Sequence, residues 1–200
     1  MTEIDAKMVM KLRQETGAPM MDCKKALAES GGDWEKAKEG LRLKGLQAAE
    51  KRAERSTSEG RVFSYIHAGE KIGVLVQIDC ETDFVARNND FEQFGKDLCL
   101  HIAFKRPPYL HREQVSSEEV EKERAFLLTQ VQEQMAGKPL DIQEKAVDGR
   151  MAKFYEDRCL LEQPFVKDDK KTIETYRKEM VALLGENLVI QRFACFEVGA

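Results

Sequence analysis

The acids, thiols and imidazoles of this 200-residue chain are spaced for little covalent chemistry. Cys23, Cys80, Cys99, Cys159 and Cys195 are far apart and odd in number, with no C-x-x-C pair. His67, His101 and His111 do not form H-E-x-x-H. Neither set has metal-ligand spacing, so no metal is expected and buried reduced thiols are the simpler reading. "GGDWEKAKEG" (31–40) has the wrong spacing for a phosphate loop and lacks its Lys-Ser/Thr. No G-x-S-x-G occurs, and no Ser-His-Asp order has local support. Asp168 and Asp169 sit beside Lys167 and Lys170 in an ordinary solvated run. The residues favour a binding protein over an enzyme, with no cofactor.

One stretch does ask for a function. "TDFVARNNDF" (82–91) follows an alternating run, "KIGVLVQIDCE". A loop that only reverses the chain uses Gly, Asn, Pro or Asp and has no need of Phe and Val. Phe84 is either a hydrophobic staple at a helix start or a contact for another molecule.

The elements that must position this stretch divide at shifts in composition. In residues 1–45, Ile4, Met8 and Leu12 repeat every four residues, and Gly17 and Pro19 stop that helix. A second helix from about Met20 to Glu29 puts Cys23, Ala26 and Leu27 on one face. Asp33 caps a third, with Trp34, Ala37 and Leu41 in a stripe and Gly45 just past its end. Trp34 is the expected anchor of this small core. Residues 46–59 form a charged linker. The wider stretch 44–59 mixes Lys44, Lys51, Arg52 and Arg55 with Glu50 and Glu54, which reads as a solvated helix or, alternatively, an RNA-binding strip.

The core spans 60–200. "RVFSYIHA" and "KIGVLVQID" flank "GE" as a β-hairpin, and Ile72, Val74, Val76 and Ile78 mark one buried face. A helix follows from about Asn89, which caps it with Glu92 three residues on. Phe91, Phe94, Leu98 and His101 or Ile102 form its stripe, and "RPP" (106–108) ends it. Residues 117–157 read as two antiparallel helices broken at "AGKP". Their stripes are Val120, Leu127 or Leu128, Val131 and Met135, then Ile142, Ala146 or Val147, Met151 and Phe154. "LLEQPFVKDD" reads as a loop, Lys171 to Leu184 as a helix, and "NLVIQRFACFEV" as a third strand. The fold class is α+β.

Hydrophobic residues make up 42% and charged residues 34%, enough for a real core and a highly charged surface. A net charge of −4 argues against gripping phosphate backbones, so no direct nucleic-acid partner is expected. No run of eighteen apolar residues occurs and the N-terminus has no apolar signal core, so the expected location is the cytoplasm and no membrane partner is expected.

"LRQETGAPMMDCKKAL" (12–27), "CETDFVARNNDF" (80–91), "LLEQPFVKDDKKT" (160–172) and "GENLVIQRFACFEVG" (185–199) together resemble bacterial elongation factor Ts. The likeness covers nearly the whole chain. It implies an N-terminal three-helix module of the ubiquitin-associated type, a core with a three-stranded antiparallel sheet packed by helices, and a projecting helical hairpin. It also implies a guanine-nucleotide exchange factor for elongation factor Tu. By that likeness Thr82, Asp83, Phe84 and Val85 are pushed against the partner's GTPase domain. Arg13, Met20 and Met21 serve the N-terminal module's contact, although the residues alone allow both methionines as core packing and at least one of them is expected to be. His101 lies in a stretch similar to a family segment near the partner. Longer members carry two related halves of the core, and only one is evident here. A homodimer, joined through "LVIQRFACF" and the outer face of the β-hairpin with Cys195 near the axis, would supply the second.

Overall fold

The computed structural model describes residues 4–199. Two compact units emerge: Met1–Ser64 with Leu75–Leu98 and Thr175–Arg192, and Tyr65–Val74 with Cys99–Glu174 and Phe193–Ala200. The fold is α+β, as the sequence implies. A three-stranded antiparallel sheet has the order β1-β2-β5, with β1 Glu59–Ile66, β2 Ile72–Cys80 and β5 Val189–Glu197. The C-terminal strand is thus the third partner of the hairpin. Alternation in β2 sets the buried face: Val74, Val76, Ile78 and Cys80 are fully buried, while Leu75 is exposed.

In the first unit, α1 (Ala6–Thr16), α2 (Met20–Glu29) and α3 (Trp34–Arg52) enclose a core of Val9, Leu12, Cys23, Ala26, Leu27, Ala37 and Leu41. Gly17 ends α1 in a left-handed conformation (φ 67°), its N–H donating to Arg13 O at 2.8 Å. The Asp33 side chain caps α3 by accepting from Lys36 N at 3.0 Å. Leu12 and Leu27 are fully buried and form the centre. Trp34 is only half-buried at the rim, a correction to its expected place as anchor. Its indole N–H donates to Glu15 Oε2 at 3.2 Å, and a partner of that kind lies at the surface.

The third helix does not stop at Gly45. It runs to Arg52, burying Ala49. Gly45 lies at a close approach to α8 (Ile173–Leu184), where a Cβ would stand 3.0 Å from that of Ala182. The glycine serves packing here, with no left-handed turn.

β2 leads into a single helical turn, α4 (Asp83–Ala86), and then α5 (Asn89–Lys105). The residue ahead of α5 is Asn88, one position before the expected cap; its Oδ1 accepts from Asp90 N at 2.7 Å. Phe91, Phe94 and Leu98 are fully buried. Phe94 meets the Tyr176 ring edge-on at 5.0 Å, and the Tyr176 hydroxyl donates to buried Asp97 Oδ2 at 2.9 Å. These contacts fasten α5 to α8.

In the second unit, α6 (Ser117–Gln134) and α7 (Leu140–Arg158) pair antiparallel across a turn at Gly137 (φ 85°). Their seam is Leu127, Val131, Val147, Met151 and Phe154. Ile142 is exposed and Gln143 is buried in its place, its amide donating to Lys138 O at 2.9 Å. The stretch read as a loop at 160–169 contains a short strand, β3 (Pro164–Phe165), paired antiparallel with β4 (Asp168–Thr172). The charged "DDKK" of β4 has no apolar alternation to announce it.

Candidate partner-binding site

Thr82 and Glu186 build the turn that carries Phe84. As β2 ends, the Thr82 side chain accepts from Val85 N at 3.4 Å and starts α4. The Glu186 carboxylate lies beneath. Its Oε2 accepts the backbone N–H of Glu81 at 3.1 Å and of Thr82 at 3.0 Å, and its Oε1 accepts the Thr82 hydroxyl at 2.6 Å. Cys80 Sγ donates to Thr82 O at 3.2 Å. Burial, then the nearby Glu186 charge, pushes the Cys80 thiol up to about 11, so it stays protonated near neutral pH.

Asn187 ties the same junction to the end of α3. Its backbone N–H donates to Glu81 Oε1 at 2.6 Å, and its side-chain amide to Ala53 O at 3.2 Å and Arg55 O at 2.9 Å. Arg55 also pairs with Glu81 at 3.5 Å.

On this base Phe84 is 82% exposed. The staple reading therefore fails: the ring is not packed over the helix start. Asp83 pairs with Arg87 at 2.9 Å across one turn, and Thr82 supplies the cap. Val85 is half-buried and Ala86 is buried, so the turn is held from below while its ring points to solvent.

A second set lies at the start of the chain. Arg13 is exposed in the last turn of α1, and Met20 and Met21, 40% and 73% exposed, begin α2. Neither methionine is core packing, against the expectation for at least one of them. Both precede the buried Cys23, Ala26 and Leu27 face.

His101 is not at a surface. It is fully buried in α5, so in this structure it offers no side-chain contact to a partner. Nδ1 accepts from Val166 N at 3.2 Å, which leaves the proton on Nε2 to donate to Gln163 Oε1 at 3.0 Å. Burial, aided by the Lys105 charge, lowers its pKa to about 4. The imidazole is neutral and joins α5 to the base of the β3–β4 sheet.

A groove of about 750 Å³ runs among the Gly17–Pro19 turn, α3 and α8, and residues 82–85 do not line it. Four cysteines are buried and Cys195 is half-buried, and all five thiols are free. Among the described residues no cluster of His, Cys, Asp and Glu could hold a metal ion, and no helix is long and apolar enough to cross a membrane.

Sequence reasoning missed Glu186 and Asn187. They lie more than a hundred residues from the turn they hold, and an acid after a glycine carries no local signal of such a contact.

Residues 45–200 match the protein family described as Elongation factor TS. The chain is 54% identical to Elongation factor Ts of Desulforamulus reducens over 199 residues, covering 100% of this chain and 91% of that protein. It is 54% identical to Elongation factor Ts of Geotalea uraniireducens over 98% of this chain and 90% of that protein. For the protein of the same name from Acetivibrio thermocellus the identity is 52%, with the same two coverages. With residues 45–200 matched and the likeness running from end to end, the chain belongs to the elongation factor Ts family.

Proposed function

We propose that this chain is a guanine-nucleotide exchange factor that binds elongation factor Tu in its GDP form and promotes GDP release so that GTP can bind. As a member of the elongation factor Ts family it is a translation elongation factor. The observation that carries the finer reading is Phe84, 82% exposed on a turn whose backbone is clamped from below. A lone exposed apolar residue is ordinary on a protein surface. A rigid mount beneath it is what suits a wedge.

The physics is linkage. A GTPase holds GDP through its phosphate loop and a Mg²⁺ ion, and an exchange factor must favour the nucleotide-free shape. Each ligand then weakens the other by the same factor. Phe84 entering a cleft between partner side chains stabilises only the opened shape and disturbs the support of the magnesium site. Burying one Phe contributes about 1.5–3 kcal/mol, roughly 10- to 200-fold. Strong exchange needs more, and Thr82, Asp83, Val85 and the Arg13, Met20 and Met21 set supply further contact. Asp83 is free to change partners, because its exposed pair with Arg87 stabilises the chain little.

The three helices serve as a docking module that extends past the expected 1–45 to Arg52, and the residues from 53 to 59 join it to the 60–200 core. The RNA-binding alternative for the basic stretch is weakened by its pairing within the fold: Lys44 with Asp22 at 2.6 Å and Arg55 with Glu81. The free protein is a homodimer. Outward positions of the strands keep Val62, Leu75 and Phe196 exposed, apolar area that a second copy would cover.

The test is release of labelled GDP from purified elongation factor Tu with this protein in excess. Faster release is expected; an unchanged rate overturns the reading.

A further inference from the structure

Phe84 makes almost no packing contact of its own, so its direction is set by the backbone that carries it. That backbone is a four-residue helix, too short to hold its shape alone. Its far end is closed by Arg87 N to Asp83 O at 3.2 Å, Asn88 N to Val85 O at 2.9 Å, and Arg61 to Ala86 O at 3.4 Å. Its near end rests on Glu186.

We propose that Glu186 is the positioning residue of the exchange turn: its carboxylate fixes the direction in which Phe84 projects. The inference rests on the reading of Phe84 as the partner contact. Three donors converge on this one side chain: two consecutive backbone N–H groups and the Thr82 hydroxyl. Thr82 passes the constraint on, because the oxygen that donates to Glu186 also accepts from Val85 N. Charged acceptors make shorter and stronger hydrogen bonds than neutral ones. A turn held this way is ordered before binding. A loose turn would lose freedom at the moment the wedge enters, and that loss subtracts from the stabilisation of the opened partner.

The neighbouring residue extends the same device. Asn187 N–H holds Glu81, whose own N–H is held by Glu186, while the Asn187 amide grips the carbonyls of Ala53 and Arg55. The end of the docking module's third helix and the base of the wedge therefore share one anchor, two residues long.

The chemistry distinguishes substitutions. Glu186→Gln keeps one carbonyl oxygen for the two backbone donors, and its amide nitrogen can donate to Thr82 Oγ. Glu186→Ala removes all three acceptor contacts. Thr82→Val removes the hydroxyl link and the cap while leaving the carboxylate on the backbone.

The experiment is GDP release from elongation factor Tu at saturating factor, with melting temperature measured for each variant. Glu186→Ala should slow the maximal rate roughly tenfold, with the half-saturating concentration within about twofold of the parent. Glu186→Gln should stay within about threefold of the parent rate. The double variant Glu186→Ala, Phe84→Ala should be no slower than Phe84→Ala alone, because the carboxylate acts through the ring. A parental rate for Glu186→Ala alongside a slow Phe84→Ala overturns the proposal and leaves the exchange reading standing. Multiplying effects in the double variant, or a change confined to half-saturation, also overturns it. If Glu186→Ala does not fold, Thr82→Val combined with Phe84→Ala decides: a rate no slower than Phe84→Ala alone supports the proposal, and multiplying effects overturn it. Failure of the unmodified protein to release GDP is the failure of the exchange reading itself.

Discussion

Gly95 and Phe63 touch across the seam between α5 and β1: a Cβ on Gly95 would lie 2.4 Å from the Phe63 ring. Phe63 is buried and stacks obliquely on Phe91 at 5.6 Å, so the ring has little room to withdraw. Helix propensity alone would favour Gly95→Ala by about 1 kcal/mol. Overpacking opposes it by about 1–3 kcal/mol and should prevail. Chemical denaturation should show a lower midpoint for Gly95→Ala; a higher one would mean that the seam has slack.

His101 gives the fold a sensitivity to acid. Its pKa is about 4 in the folded chain against an ordinary value of 6.5. Between these values the unfolded chain binds the additional proton, so stability is complete above pH 6.5 and falls as pH drops toward 4. The loss attributable to this group is ~3 kcal/mol across that window. His101→Gln should remove this component from a stability-against-pH profile. An unchanged slope between pH 6.5 and 4 in the variant would contradict the assignment.

Much of this architecture is written in periodicity. The alternation of Ile72 to Ile78 and the stripe of Phe91, Phe94 and Leu98 each predict their element and its buried face, because water exclusion acts residue by residue. Local signals with two meanings misled. Gly45 read as a stop but serves a close approach to Ala182, and Asn89 read as the cap that Asn88 provides. Ile142 fits a stripe by spacing, yet the buried place goes to Gln143, whose amide reaches Lys138 O. The Phe84 turn was visible as an anomaly of composition. Its mount was not, since Glu186 and Asn187 act across more than a hundred residues. His101 matched a partner-facing stretch by sequence and is instead interior, since the same stripe that buries Leu98 and Ile102 carries it inward.

Met21 offers a test of the docking module. It is 73% exposed at the start of α2, so Met21→Asp should leave the melting temperature within about 1 °C of the parent. Affinity for elongation factor Tu, measured by titration calorimetry, should fall by roughly tenfold or more. Undiminished affinity would remove Met21 from the interface.

The homodimer is checked by light scattering of the free protein at micromolar concentration. A mass near twice 22.9 kDa is expected. A mass of a single chain would leave Val62, Leu75 and Phe196 without the proposed cover.

The most direct measurement compares GDP release from elongation factor Tu driven by the unmodified chain and by Phe84→Ala, with thermal unfolding recorded for both. Phe84 is 82% exposed, so its truncation should leave the melting temperature unchanged. Exchange should slow by roughly 10- to 100-fold, within the range that burial of one Phe supplies. Equal release rates at equal stability would contradict the account, and so would a collapse of stability, which would make Phe84 part of the core.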